Sequence, residues 1–153
     1  MAPLSRLDWR LISLRGLLGG VIGGILIDAF LYIALFAPVH QPITALWANV
    51  SATATGHAAA NPWLGLLIHF CVSIAWGVGY AYAAATRPAV AEHPYISGAV
   101  YGLIVMIIMQ LIQLAAGIKV PQMTAVGFLS VIVAHCVFFG LPLAVTISRM
   151  MRA

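Results

Sequence analysis

The sequence predicts an all-α integral membrane protein: a bundle of four transmembrane helices with N- and C-termini cytoplasmic. Composition, four apolar runs and the placement of the arginines carry this reading. Of 153 residues, 63% are hydrophobic and only 7% charged, with a mean hydropathy of +1.08. A soluble domain of this size could not carry that much apolar surface without aggregating. No polar stretch is long enough to form a second domain, so residues 1–153 form a single four-helix domain.

Crossing the hydrocarbon takes about 20 apolar residues in a helix. Residues 17–37, 63–85, 95–117 and 126–147 meet that requirement. Of the seven basic residues, Arg6, Arg10 and Arg15 precede the first run, Arg87 separates the second from the third, and Arg149 and Arg152 follow the fourth. Lys119 alone falls in the other set of loops. Six against one puts both ends in the cytoplasm. The net charge of +4 therefore reports topology, and the chain has no basic patch or motif for nucleic acid.

The first run resembles a signal sequence only in its leading arginines. It is too long, it lacks a small-residue cleavage site, and it should stay as an anchor. Ahead of it, Leu4, Leu7, Leu11 and Leu14 recur at helical spacing while Arg6, Arg10 and Ser13 take another face. Residues 4–15 thus form an amphipathic interfacial segment, with Trp9 as an anchor, or a short helical lead-in with no lipid-specific role. Within the run, Gly16, Gly20 and Gly24 are spaced by four, as are Gly19 and Gly23. Gly98 and Gly102 repeat that spacing in the third run. Such faces let backbones meet where lipid offers no hydrophobic drive. Asp28 continues this face of the first helix.

The outer loop, 38–62, exceeds the usual helix–helix link. Pro38 and Pro42 open it, a short helix over 43–50 and a small-residue tract over 51–60 follow, and it is placed to cap the outer mouth of the bundle. Trp47 and Trp63 suit the outer interface as belt residues. The links at 86–94 and 118–125 are short and make neighbouring helices antiparallel.

Chemistry enters in one layer. Counted from the outer helix ends at 1.5 Å per residue, Asp28 and His135 lie about 13 Å deep, Gln110 about 10 Å and His69 about 9 Å. Each helix carries a polar stripe: Asp28 with Tyr32; His69 with Ser73, Trp76 and Tyr80; Gln110 with Gln113, Met106 and Gly102; His135 with Phe128, Val131, Phe138 and Pro142. Turned inward, these stripes give a layer of Asp28, Tyr32, His69, Ser73, Gln110, Gln113 and His135. An ionisable group at such depth marks a functional site by default.

Three readings of the layer stand open. It is a hydrogen-bonded cluster holding the helices together, with Asp28 accepting from a histidine or Tyr32. It is a path for a proton, ion or small solute, with Asp28 titrating and His69 and His135 relaying. Or it holds a cofactor, haem between His69 and His135 or a transition metal on His69, His135 and Asp28. No cofactor is required by the sequence. Cys71 and Cys136 point away from their neighbouring histidines, and Met106 and Met109 read as packing.

Catalysis finds no support, since no nucleophile–base set, paired carboxylates, zinc-protease motif or phosphate loop is present. Asp8 and Glu92 read as solvated loop residues, and His40, His57 and His93 as exposed ones. His40 and His57 together would make an outer-face metal or proton sensor. The expected partners are the lipid bilayer and further copies of the chain or a larger membrane complex.

The run His69-Phe70 followed by Gly77, Gly79, Tyr80 and Ala81, then Gly98-Ala99-Val100-Tyr101-Gly102-Leu103, and His135 with Gly140, resembles the small bacterial inner-membrane proteins of the YagU type. The resemblance covers helices two to four. It implies a four-helix, multi-pass protein of the bacterial inner membrane, without known enzymatic activity and loosely associated with acid resistance. Of the candidate site residues it carries across only the histidines.

Overall fold

The computed structural model describes residues 8–55, 60–115 and 124–152. Leu4, Arg6 and Leu7 of the amphipathic segment, His57 of the outer loop, and Lys119 with most of the link before the last helix lie outside them. Four helices are long and apolar enough to cross a membrane: α1 (Trp9–Val39), α3 (Pro62–Thr86), α5 (Pro94–Ala115) and α6 (Ala125–Arg152). Two shorter ones, α2 (Ile43–Thr55) and α4 (Pro88–Glu92), sit in the connections.

The helix starts are set by side-chain caps. Asp8 accepts from the backbone N–H groups of Arg10 and Leu11 at 3.0 and 3.2 Å. Asn61 does the same for Trp63 and Leu64 at 2.9 and 3.2 Å, with Pro62 following at the first helical position. Thr124 caps α6 through Gly127 N–H. Each cap satisfies donors that the first helical turn leaves without partners. Asp8 is therefore a capping residue, not merely a solvated one. Residues 9–15 continue into α1 without a break, and Ile12 is buried. This part of the amphipathic segment is the first two turns of the long helix.

Two of the long helices widen locally. Residues Tyr32–Phe36 in α1 and Ala134–Gly140 in α6 form π-helical turns. In α1 the wide turn is followed by one tight turn, Ala37–Val39, which carries Pro38. His40 then leaves the helix in the left-handed region at φ 56°, the usual conformation of a helix C-terminal stop.

The glycine faces of α1 are spent inside the chain's own bundle. Gly16, Gly20 and Gly24 lie against Val78, Ser73–Ile74 and Phe70–Ser73 of α3, so α1 and α3 run antiparallel. Gly19 and Gly23 lie against Ile147 and Phe139 of α6. Helix α5 packs on α6 in the same manner, Gly98 on Gly140 and Ala144, and Gly102 on the His135 carbonyl. Removing the Cβ lets backbones approach closely, which is what holds helices together where lipid is as apolar as leucine.

Between α3 and α5 the contacts are concentrated at one end. There Tyr101 Oη donates to the Trp76 carbonyl at 2.6 Å, and Tyr80 Oη shares a 2.7 Å hydrogen bond with Ser97. Trp9 stacks on Tyr82 at 5.4 Å at the same end, and Arg152 donates to the Ala91 carbonyl at 3.1 Å. Arg10, Arg15, Arg87 and Arg149 belong to this end as well. At the opposite end α3 and α5 leave space between them, and α2 folds back toward it.

Candidate functional site

Asp28 is the one buried carboxyl group among the described residues, 6% exposed in the middle of an apolar helix. A carboxylate in such surroundings needs a donor on each oxygen. Its two polar neighbours come from other helices, and one of them donates a hydrogen bond. His69 Nε2 lies 3.3 Å from Asp28 Oδ1, and Trp47 Nε1 donates to Oδ2 at 3.0 Å. His69 Nε2 is also 3.1 Å from the Gly24 carbonyl, one turn before Asp28. Gly24 lacks a Cβ, and Ser73 and Phe70 of α3 occupy the space against it. That close approach brings the His69 ring within reach of α1.

Trp47 reaches Asp28 because α2 lies tightly on α3. Gly65 faces the Trp47 carbonyl, and a Cβ there would overlap it. Ser51 Oγ accepts from Asn61 N–H at 2.7 Å and closes the link between the two helices. Trp47 is thus not simply an interfacial belt residue; its indole is the second partner of the buried carboxylate. It is half-buried, while Trp63, tilted against it at 6.2 Å, is 66% exposed and has the exposure expected of a belt residue. Sequence reasoning missed Trp47 because its contact crosses 19 positions and an outer loop. The available signals were the excess length of that loop and an intramembrane aspartate that needs two donors.

Beside His69 lies a cavity of about 480 Å³. His69, Ser73 and Trp76 of α3, Gln110 and Gln113 of α5 and His135 of α6 line it, and Val50, Thr53 and Ala54 of α2 close part of its wall. Ile27, Val105, Met109 and Phe139 make much of the remainder apolar. The structure therefore brings His69, Ser73, Gln110, Gln113 and His135 to one space. Asp28 stands behind His69 and outside the lining.

Tyr32 is set apart. It opens the π turn of α1, is half-buried, and makes no side-chain hydrogen bond among the described residues. Of the two partners expected for Asp28, a histidine or Tyr32, the histidine is beside it, and Trp47 takes the place of Tyr32. Tyr80 likewise leaves its stripe, since its hydroxyl is engaged with Ser97 away from the cavity.

His135 sits in the second π turn, where its Nδ1 donates to the Val131 carbonyl of the preceding turn at 2.9 Å. An i→i+5 turn carries an extra residue, which changes the face that follows. Phe139 lines the cavity with His135, while Phe138, placed by regular spacing on that face, stacks on Phe30 at 4.2 Å. Phe128 is exposed.

As a metal centre the set His69, His135 and Asp28 is incomplete. Asp28 and His69 touch, yet among the described residues no three His, Cys, Asp or Glu side chains gather as a metal-binding group. As haem ligands the two histidines stand differently, because His69 spends Nε2 on Asp28 and Gly24 while His135 spends Nδ1 on Val131. Cys71 is exposed and Cys136 half-buried, and neither is in the cavity lining. His40 is exposed at the end of α1.

The arrangement sets a carboxyl–imidazole pair, Asp28 and His69, beside a space large enough for a small molecule. Comparison of the chain with protein-family models, with curated proteins and with solved structures finds no match.

Proposed function

We propose that this chain is a four-span protein of a bacterial inner membrane, with both termini cytoplasmic, whose cavity passes a proton or a small solute. Asp28 and His69 are its proton-handling pair, and His135, Gln110, Gln113 and Ser73 are the polar groups a passing solute meets. The arginine-bearing end is the cytoplasmic one, by the bias of basic residues toward that side. The cavity then lies in the outer half, where α2 covers it.

A single observation carries this reading. A buried carboxylate stands 3.3 Å from the ring nitrogen of an imidazole that is itself part of a cavity wall. A purely structural cluster would close its polar groups on one another. Here Gln110 and Gln113 make no side-chain hydrogen bond among the described residues and line the cavity instead. Polar groups held at membrane depth without protein partners are costly, and those lining a water-accessible route are the common exception. The glycine-packed bundle supplies a rigid frame for such a site. Assembly with further copies, or as an accessory subunit of a larger complex, is compatible with the lipid-facing apolar surface. The resemblance to the YagU type accords with an inner-membrane, non-enzymatic role.

The test is flux. The purified protein in liposomes carrying an internal pH dye should dissipate an imposed proton gradient faster than empty liposomes. Asp28→Asn should remove most of that excess. Flux unchanged in Asp28→Asn would end the proposal that Asp28 handles the proton.

A further inference from the structure

The two cavity histidines share a property that fixes what kind of ligand they prefer. His69 Nε2 stands between two acceptors, the Gly24 carbonyl at 3.1 Å and Asp28 Oδ1 at 3.3 Å. A ring nitrogen so placed carries the hydrogen, so the neutral ring keeps its lone pair on Nδ1. On His135 the assignment is reversed. Nδ1 donates to the Val131 carbonyl at 2.9 Å, and the lone pair is on Nε2. Neither lone-pair nitrogen has a partner among the described residues, and both rings line the cavity. In their neutral forms the histidines therefore offer two acceptors and no donor. The amides of Gln110 and Gln113 donate as readily as they accept and do not discriminate.

The rest of the wall fixes the remainder of the ligand. Ile68, Val72, Trp76, Val105, Met109 and Phe139 present apolar and aromatic surface. A volume of about 480 Å³ falls in the range of sites that take molecules of drug size. A small inorganic cation would leave most of that wall uncovered, and the described residues supply no group of three ligands for one.

We infer that the cavity binds a lipid-soluble aromatic diol: a hydroquinone head bearing an apolar tail, recognised by hydroxyl donation to the lone pairs of His69 and His135. The inference rests on the reading of the cavity as the functional site and adds the class of its ligand. The oxidised quinone has the same skeleton and offers acceptors only, so it meets the two imidazoles lone pair to lone pair. The Gly24 carbonyl holds the His69 tautomer in place through Nε2–H, with the Asp28 carboxylate 3.3 Å away on the same nitrogen.

The experiment uses the intact protein in nanodiscs and three probes, decyl-benzohydroquinone, its oxidised quinone and its dimethyl ether. Binding is read by equilibrium dialysis and by quenching of tryptophan emission. The hydroquinone is expected to bind about tenfold or more tighter than either other form, the size of one or more hydrogen bonds lost. His69→Phe and His135→Phe should each shrink that preference. Equal binding of the three forms, or binding of none, overturns the inference. If a variant fails to fold, the comparison of hydroquinone with its dimethyl ether on the unaltered protein still decides. Flux in liposomes is read separately. A flux-competent protein without the preference loses the ligand class and keeps the passage. A protein with the preference and no flux loses the passage and keeps the ligand class.

Discussion

Gly77 and Gly79 are two positions apart on α3 and should respond to alanine with opposite signs. A Cβ at Gly77 would fall on the Gly16 carbonyl and within 3.0 Å of Gly20 Cα. All of these are backbone atoms of α1, so no rotamer change relieves the overlap and the two helices must move apart. Overpacking of this kind costs about 1–3 kcal/mol, against a gain of up to about 1 kcal/mol from replacing glycine in a helix. Gly79 is exposed, and a Cβ there meets only the far end of Tyr101, at 3.0 Å. That hydroxyl is held by the Trp76 carbonyl but needs to shift by only a few tenths of an ångström, so Gly79→Ala should be close to neutral or gain up to about 1 kcal/mol. The assay is thermal and SDS-induced unfolding in mild detergent. At about 2–4 °C per kcal/mol for a chain of this size, Gly77→Ala should melt several degrees below the parent and Gly79→Ala at or above it. Gly77→Ala melting with the parent would refute the claim that α1 and α3 meet backbone to backbone.

Three further outcomes are expected. Trp47→Phe removes the indole donor from Asp28 and should cost about 1.5–3 kcal/mol, the range for a hydrogen bond to a charged group. Hydrogen exchange across Ile43–Thr55 should rise with it. Tyr101→Phe deletes the 2.6 Å bond to the Trp76 carbonyl and should cost about 1 kcal/mol, measured by unfolding, with no loss of flux because Tyr101 itself does not line the cavity. Single cysteines placed in a Cys71→Ser, Cys136→Ser background report topology with an impermeant thiol reagent on intact cells. Gln41→Cys should label and Glu92→Cys should label only after the membrane is opened; the reverse pattern would contradict the assigned orientation.

Much of the frame was legible because membrane-spanning helices are written in composition. The four long apolar helices follow from runs that need no tertiary information. Gly16, Gly20 and Gly24 pointed to close helix contact by spacing alone, though only the structure assigns that contact to α3 rather than to another copy of the chain. Asp28 and His69 were placed at similar depth by counting residues, and their side chains meet. Trp47 was not legible, because whether a loop helix folds back over a bundle depends on long-range packing, here on Gly65. Phe138 and Phe139 exchanged roles for a different reason. Regular spacing assumes 3.6 residues per turn, and the π turn at Ala134–Gly140 departs from that locally. Tyr32 was drawn into the layer by the same assumption and sits at the start of the other π turn. Residues 9–15 read as an interfacial segment or as a helical lead-in, and they continue into α1 with Ile12 and Gly16 turned into the bundle.

The central claim is that Asp28 and His69 act as one unit at the cavity. A double-mutant cycle on liposome proton flux tests it most directly, with Asp28→Asn, His69→Gln and the two combined. Residues that act as a unit lose nearly everything on the first substitution. Each single variant should abolish most of the excess flux, and the double variant should lose little more. Single losses that multiply in the double variant would mean that the two side chains contribute independently, and would contradict it.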